Sequence, residues 1–197
     1  MRGERFLTGN ERFLALDDII VSKTDLTGRI TYANRTFLKI AGLTEKDCMR
    51  QPHSLIRHPD MPRSIFKRIW TAIEAGDEIF AYIINRAMNG DHYWVYAHVT
   101  ATRNRAGDII GYHSNRRAPD RAIVDDLIVP LYARLRHVER EPKNGKQAVE
   151  AGCEALDSVL REKGMEYDEF IMTLGQGSRR GYRTGREADL GQADCQA

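Results

Sequence analysis

Between Ile79 and Arg116 the chain holds three apolar runs separated by two turns rich in Asn, Gly and Asp. The runs are Ile79 to Arg86, His92 to Arg103 and Ile109 to Arg116, and the turns are Asn89-Gly90-Asp91 and Asn104 to Asp108. Side chains alternate faces along a strand, so the middle run sets Tyr93, Val95, Ala97, Val99 and Ala101 on one side and Trp94, Tyr96, His98 and Thr100 on the other. Strands joined by such short loops can only be antiparallel neighbours. The stretch predicts a three-strand meander with one face in a core, and the rest of the chain must pack around it.

Upstream, Ile19-Ile20-Val21, the turn residues Asp25-Leu26-Thr27-Gly28 and the run Ile30-Thr31-Tyr32 predict an opening hairpin. Together with the meander this makes five strands. Asn34 is placed to cap a helix over 35–41 that Gly42 stops, and Thr44 starts a second short helix with Asp47 where a capping box usually has Glu or Gln. A longer helix follows, with Pro62 in its first turn and Asp60 as its cap. Its apolar stripe is Ile65, Phe66, Ile69, Trp70 and Ile73, and it ends at Gly76. The fold class is α+β, a five-stranded antiparallel sheet with short helices on one face.

After Pro119 the spacing becomes helical. Ile123, Leu127, Leu131, Leu135 and Val138 recur at helix intervals despite Pro130, which should kink or restart the helix. A second amphipathic segment carries Val149, Leu156, Val159 and Leu160 to Gly164, and a third runs from Tyr167 to Leu174. Residues 175–197 hold Leu190 as their one large aliphatic side chain, too little to offset the entropy of ordering. We therefore expect an N-terminal cap at 1–16, a folded unit at 17–119, a helical extension at 120–174 and a disordered tail at 175–197.

Composition narrows the function. The balance of 30 basic and 28 acidic residues lacks the dense positive surface of a dedicated nucleic-acid binder. The longest apolar run, Ile79 to Ile84, is far short of the ~20 residues of a membrane span, and the first ten residues lack a secretory apolar core. A cytoplasmic protein is expected, without membrane insertion. Cys48, Cys153 and Cys195 fit neither a disulfide framework nor a zinc spacing. Among the histidines, His92, His98 and His113 show no metal-site spacing, so no metal site is expected. Motifs for nucleophilic, phosphoryl-transfer and dinucleotide-dependent catalysis are missing, which argues against an enzyme.

Two places carry chemistry. Arg57-His58-Pro59-Asp60-Met61-Pro62 gathers a cation, an imidazole and an anion on a proline-stiffened loop, which suits either a polyanionic or heteroaromatic ligand or a plain turn with Asp60 capping the next helix. Asn85 sits inside a strand pattern, where an amide is unusual and can both donate to and accept from a flat ligand. Trp70 on pattern alone belongs to the core stripe of its helix.

The order of elements resembles a PAS domain. Thr24-Asp25-Leu26-Thr27-Gly28-Arg29-Ile30-Thr31-Tyr32-Ala33-Asn34 resembles the start of many PAS sensors. Gln51-Pro52-His53, Arg57-His58-Pro59-Asp60-Met61-Pro62, Phe66, Trp70, Asn85-Arg86 and Asn89-Gly90-Asp91-His92-Tyr93-Trp94-Val95 look like the flavin-binding PAS module of aerotaxis receptors, as do Gly111-Tyr112 and the strand end Arg116-Arg117. The resemblance covers about residues 17 to 135. It implies noncovalent FAD used as a redox or oxygen sensor, with Arg57, His58, Asp60, Trp70, Asn85 and Tyr93 at or near the cofactor. A homodimer is expected from the general prevalence of symmetric dimers, and the sensor reading expects a signalling partner such as a chemoreceptor or histidine kinase.

Where the family commonly has tryptophan and then glycine before the asparagine, this chain has Phe80 and Tyr82, and a tyrosine pointing inward would crowd the pocket. The alternatives are a cofactor-free interaction module with Tyr82 as a plug, and a heme-binding gas sensor using one of the histidines. Any output must come from the helices after Pro119, which either offer an interaction surface or pack on the same sheet.

Overall fold

The computed structural model describes residues 6–174. The expected tail at 175–197, Cys195 and the first five residues lie outside the described residues. Strand β1 (Ile20–Thr24) and β2 (Ile30–Ala33) form the opening hairpin, followed by helices α1 (Arg35–Ala41) and α2 (Glu45–Cys48), a 3-10 turn at His53–Ile56 and α3 (Arg63–Ala75). The meander is β3 (Ile79–Arg86), β4 (His92–Arg103) and β5 (Ile109–Arg117). All pairings are antiparallel in the order β2-β1-β5-β4-β3, so the last strand closes back beside the first and both ends of the chain's hairpin and meander meet at the middle of the sheet.

The local signals act as read. Asn34 Oδ1 accepts from the Phe37 amide and Gly42 ends α1 in the left-handed region at φ 67°, where a side chain would be strained. Thr44 and Asp47 complete a capping box although Asp is the shorter acid. The start of α3 differs: Pro62 is the cap position and contributes no side-chain bond, and Asp60 turns away to pair with Arg136.

Helices α1 to α3 cover one face of the sheet, with Ile65, Ile69 and Ile73 of α3 buried. The extension covers part of the other. It begins as a short α4 (Arg121–Ile123), widens into a π-helical turn at Val124–Ile128, and continues as α5 (Val129–Arg140). Pro130 explains the widening: it lacks the N–H an α-helix would need there and its ring crowds the carbonyl four residues back. The chain bonds the Val129 amide to the Val124 carbonyl instead, and α5 starts anew at Val129 with Pro130 in its first turn. Helix α6 (Gly145–Lys163) then packs along α3 and α5, and α7 (Tyr167–Thr173) returns to β3.

The contacts of the second face are aromatic. Trp94 meets Tyr132 with ring centroids 5.9 Å apart, Tyr82 meets Tyr96 at 4.9 Å, and the Tyr132 hydroxyl donates to the Tyr82 carbonyl at 2.5 Å. Both faces of β3 and β4 are thus buried, where the sequence reading expected one. The N-terminal segment docks on the β3–β4 turn: Thr8 and Arg12 amides donate to the Gly90 and His92 carbonyls, and Arg12 pairs with Asp91 at 2.9 Å. Bonds from Thr8, Asn89 and Arg12 hold the Asp91 carboxyl down to about 2. Glu11 ties the same segment to Arg121 of the extension at 2.6 Å.

Candidate functional site

Between α3 and the inner face of the sheet lies a cavity of about 280 Å3. Strand parity builds its wall. Ile83 and Asn85 of β3, Val99 of β4, Tyr112, Ser114 and Arg116 of β5 and Ser22 of β1 all reach it, and α3 adds Phe66, Ile69, Trp70 and Ile73. The turn residues Thr27, Gly28, Pro52, His53, Ser54 and Arg57 close one end, and Thr24 and His113 complete the lining. Trp70 stands edge-on to Tyr112, ring centroids 5.4 Å apart, and its indole passes so close to Gly28 that a Cβ there would lie 3.0 Å away.

The polar end of the cavity is unusual. Arg116 is 3% exposed, and its Nη2 donates to Ser22 Oγ at 2.6 Å and to His53 Nε2 at 2.8 Å. Burial, helped by Arg116, pushes the imidazole of His53 down to about 3, so it is neutral and free to accept. Burial lowers Arg116 to about 10, which leaves it a cation at neutral pH. Among the described residues no carboxylate pairs with it. Its Nη1, Asn85 Nδ2 and Ser114 Oγ are all buried in or beside this wall without a hydrogen-bond partner. Burying such groups unpaired costs about 1–3 kcal/mol each, and three in one wall point to a ligand with polar edges.

The six residues expected at a cofactor separate. Arg57, Trp70 and Asn85 line the cavity. The Arg57 guanidinium stacks 4.2 Å over the Phe66 ring, and its backbone bridges Asn85 on the free edge of β3. His58, Asp60 and Tyr93 are not in the wall. His58 is buried behind the loop, 5.7 Å from the His92 ring, its Nδ1 accepts from the Asp60 amide at 3.1 Å, and burial pushes it down to about 4. Asp60 faces Arg136 of α5. Tyr93 sits opposite Asn85 in register, 1% exposed, and its hydroxyl has no partner.

His53 and Arg116 belong to the site although sequence reasoning did not single them out as ligand residues. Arg116 had a signal, since it shares the parity of Tyr112 and Ser114, and an arginine in the inward row of a strand is rarely idle. The expected crowding by Tyr82 does not occur: three residues separate it from Asn85, so it points to the opposite face and packs on Tyr96. The heme alternative names no particular histidine, and the two imidazoles that line the cavity are both hydrogen-bonded, His53 with Arg116 at 2.8 Å and His113 with Asn115 at 3.2 Å. Among the described residues no group of three His, Cys, Asp or Glu could hold a metal, and no helix is long and apolar enough to cross a membrane.

The chemistry fits a flavin ring system. Ile69, Ile73, Ile83, Val99 and Trp70 offer apolar walls, and the unpartnered amide, hydroxyl and guanidinium offer polar contacts for a heteroaromatic edge.

Comparison with known proteins adds to this geometry. A family model described as PAS fold matches residues 13–114. The "Aerotaxis receptor" of Escherichia coli (strain K12) is 40% identical over 136 residues, 68% of this chain and 26% of that protein. The "Nitrogen fixation regulatory protein" of Klebsiella pneumoniae is 27% identical over 99 residues, 50% of this chain and 20% of that one. The chain thus spans about a quarter or less of the length of these relatives. Among solved structures, an RNA-binding light-oxygen-voltage receptor superposes with TM-score 0.51 at 21% identity, over 65% of this chain and 37% of that one. The light state of the blue-light photoreceptor Aureochrome1 LOV gives 0.50 at 19%, over 63% of this chain and 94% of that one. At such identities the structures share the fold.

Proposed function

The chain belongs to the PAS family, and on that footing we propose that it is a cytoplasmic sensor that binds FAD and reports redox or oxygen state to a signalling partner, without catalysing a reaction. One observation carries the reading: three buried polar atoms, on Asn85, Ser114 and Arg116, stand unpartnered around a largely apolar cavity of about 280 Å3. The relationship to an aerotaxis receptor supports the class of signal, and the partner would be a chemoreceptor or a histidine kinase.

When bound, a flavin supplies a ring nitrogen that accepts a hydrogen bond in the oxidised form and donates one in the reduced form. In this reading Trp70 and the α3 isoleucines would cover the ring from the helix side and Ile83 and Val99 from the sheet side, Asn85 would meet its polar edge, and Arg116 would hold positive charge at the site with His53 neutral beside it. Arg57, at the cavity and stacked on Phe66, is placed for the anionic portion of FAD. Asn85 can donate or accept, so its amide can reorient when the ring nitrogen changes role, and its backbone bridge to Arg57 carries that change to the loop.

The test is the visible absorbance of the purified chain before and after anaerobic dithionite, with the released cofactor identified. Flavin bands that bleach on reduction, and that are lost in Asn85→Ala, are expected. A colourless chain that refuses added FAD would sink the proposal, and a Soret band would replace it with heme.

A further inference from the structure

We infer that Glu139, in the helical extension, is a positioning residue for the cavity, and that the extension and the cavity occupant are therefore thermodynamically coupled. The inference rests on the FAD reading for its ligand. Helix α3 supplies four wall residues, Phe66, Ile69, Trp70 and Ile73, yet its first turn has no cap of its own. The cap comes from α5: Glu139 Oε2 accepts from the Arg63 amide at 2.9 Å, and Oε1 accepts from the Ser64 amide at 2.8 Å and the Ser64 hydroxyl at 2.7 Å. A carboxylate at a helix N-terminus satisfies orphan donors and opposes the positive end of the helix dipole. Ser64 is fully buried, and Gly152 of α6 closes the site so tightly that a Cβ there would lie 2.6 Å from Glu139 Oε1.

Two more contacts come from the same stripe of α5. Arg136 pairs with Asp60, three residues after Arg57, and the Tyr132 hydroxyl holds the Tyr82 carbonyl, three residues before Asn85. Positions 132, 136 and 139 follow helical spacing on one face. That face grips the loop and first turn that lead into α3, and it grips β3. These are the two walls that meet at the Arg57–Asn85 bridge. A ligand that shifts α3 relative to β3 has to stretch at least one of the three contacts, and linkage makes the effect reciprocal: breaking the grip must change ligand affinity by the factor with which the ligand secures the grip.

The experiment uses the whole chain and FAD. Glu139→Gln weakens the capping acceptor, and Gly152→Ala pushes the carboxylate away while leaving its chemistry unchanged. Each is expected to weaken FAD binding on the order of 5- to 30-fold, with Glu139→Asp in between. In the unaltered chain, FAD should slow hydrogen exchange at the Arg63 and Ser64 amides by a matching factor, and dithionite reduction should change that protection. A purely structural cap predicts lower thermal stability with FAD affinity and FAD-dependent exchange unchanged, and that result overturns the inference. Should these variants not fold, Arg136→Gln is compared in the same way, expecting a loss of about 2- to 5-fold, with no change overturning the coupling. If the chain takes up no FAD, the sensor reading falls on its own. Coupling is then judged in the flavin-free chain by combining Asn85→Ala with Glu139→Gln: a departure of about fivefold or more from the product of the single effects on unfolding supports it, and a simple product overturns it.

Discussion

The two faces of the sheet at β3, β4 and β5 are made of alternate residues of the same strands, yet they treat polar groups differently. Toward the cavity, Asn85, Ser114 and Arg116 keep buried atoms without partners beside Ile83 and Val99. Toward the extension, Phe80, Tyr82, Trp94 and Tyr96 pack ring on ring, and the Tyr82 carbonyl on the sheet edge is closed by Tyr132. The outer side is not perfect, since the buried Tyr167 hydroxyl also lacks a partner and we have no physical account of it. The difference teaches that one strand can serve recognition with its odd positions and stability with its even ones.

Removing the extension is the hardest test of that division. A chain ending at Pro119 exposes four outer aromatic residues and strips the cap from α3. Each buried aromatic is worth about 1.5–3 kcal/mol, so the loss should exceed ~5 kcal/mol, comparable with the whole stability of many domains. Urea titration of the fragment should show no cooperative transition. A midpoint equal to that of the full chain would mean the outer face is dispensable.

Acid should attack the cavity wall at His53 and the loop behind it at His58. His53 and His58 are held at about 3 and about 4, both below their ordinary 6.5, by burial. The unfolded chain takes up these protons as pH falls below 6.5 and the folded chain does not. Stability is therefore intact above pH 6.5 and declines as pH drops toward those lower values, by up to about 1.4 kcal/mol per pH unit for each group. Denaturant titrations across this range should lose slope in His53→Gln. An unchanged slope would place the acid sensitivity elsewhere.

A smaller effect of opposite sign separates the faces most sharply. In the flavin-free chain Arg116→Met removes a buried cation without a carboxylate partner, and it should stabilise by about 1–3 kcal/mol while reducing FAD uptake. Tyr132→Phe on the other face should destabilise by about 1 kcal/mol by orphaning the Tyr82 carbonyl. If both substitutions destabilise alike, the cavity wall is ordinary core and the comparison fails.

Local structure was legible because its causes are local. The meander showed in alternation and its Asn-Gly-Asp turn, α1 in Asn34 and Gly42, α2 in Thr44 and Asp47. Arg57 and Asn85 stood out as a cation on a stiffened loop and an amide inside a strand, whereas the stripe of Trp70 read as core and only the family resemblance set it at a site. The cap of α3 was misread because Asp60 is near in sequence while the acceptor, Glu139, lies 76 residues beyond Arg63 and leaves no trace in spacing. His53 was hidden for the same reason, since its partner Arg116 is 63 residues away. Tyr82 was decidable from the outset, because an odd separation from Asn85 assigns it to the other face.

The π-helical turn ahead of α5 acts as a timing element for rotation. In an unbroken α-helix residues spaced by four advance about 40° around the axis at every step, so Val124, Ile128 and Tyr132 would spiral off a straight seam. One wider turn retards that advance and lets the buried line continue into Tyr132 and Leu135. Pro130 thereby fixes the compass bearing of everything downstream, and relaxing the turn to ordinary helix would swing Arg136 and Glu139 off their targets without altering a single one of their atoms.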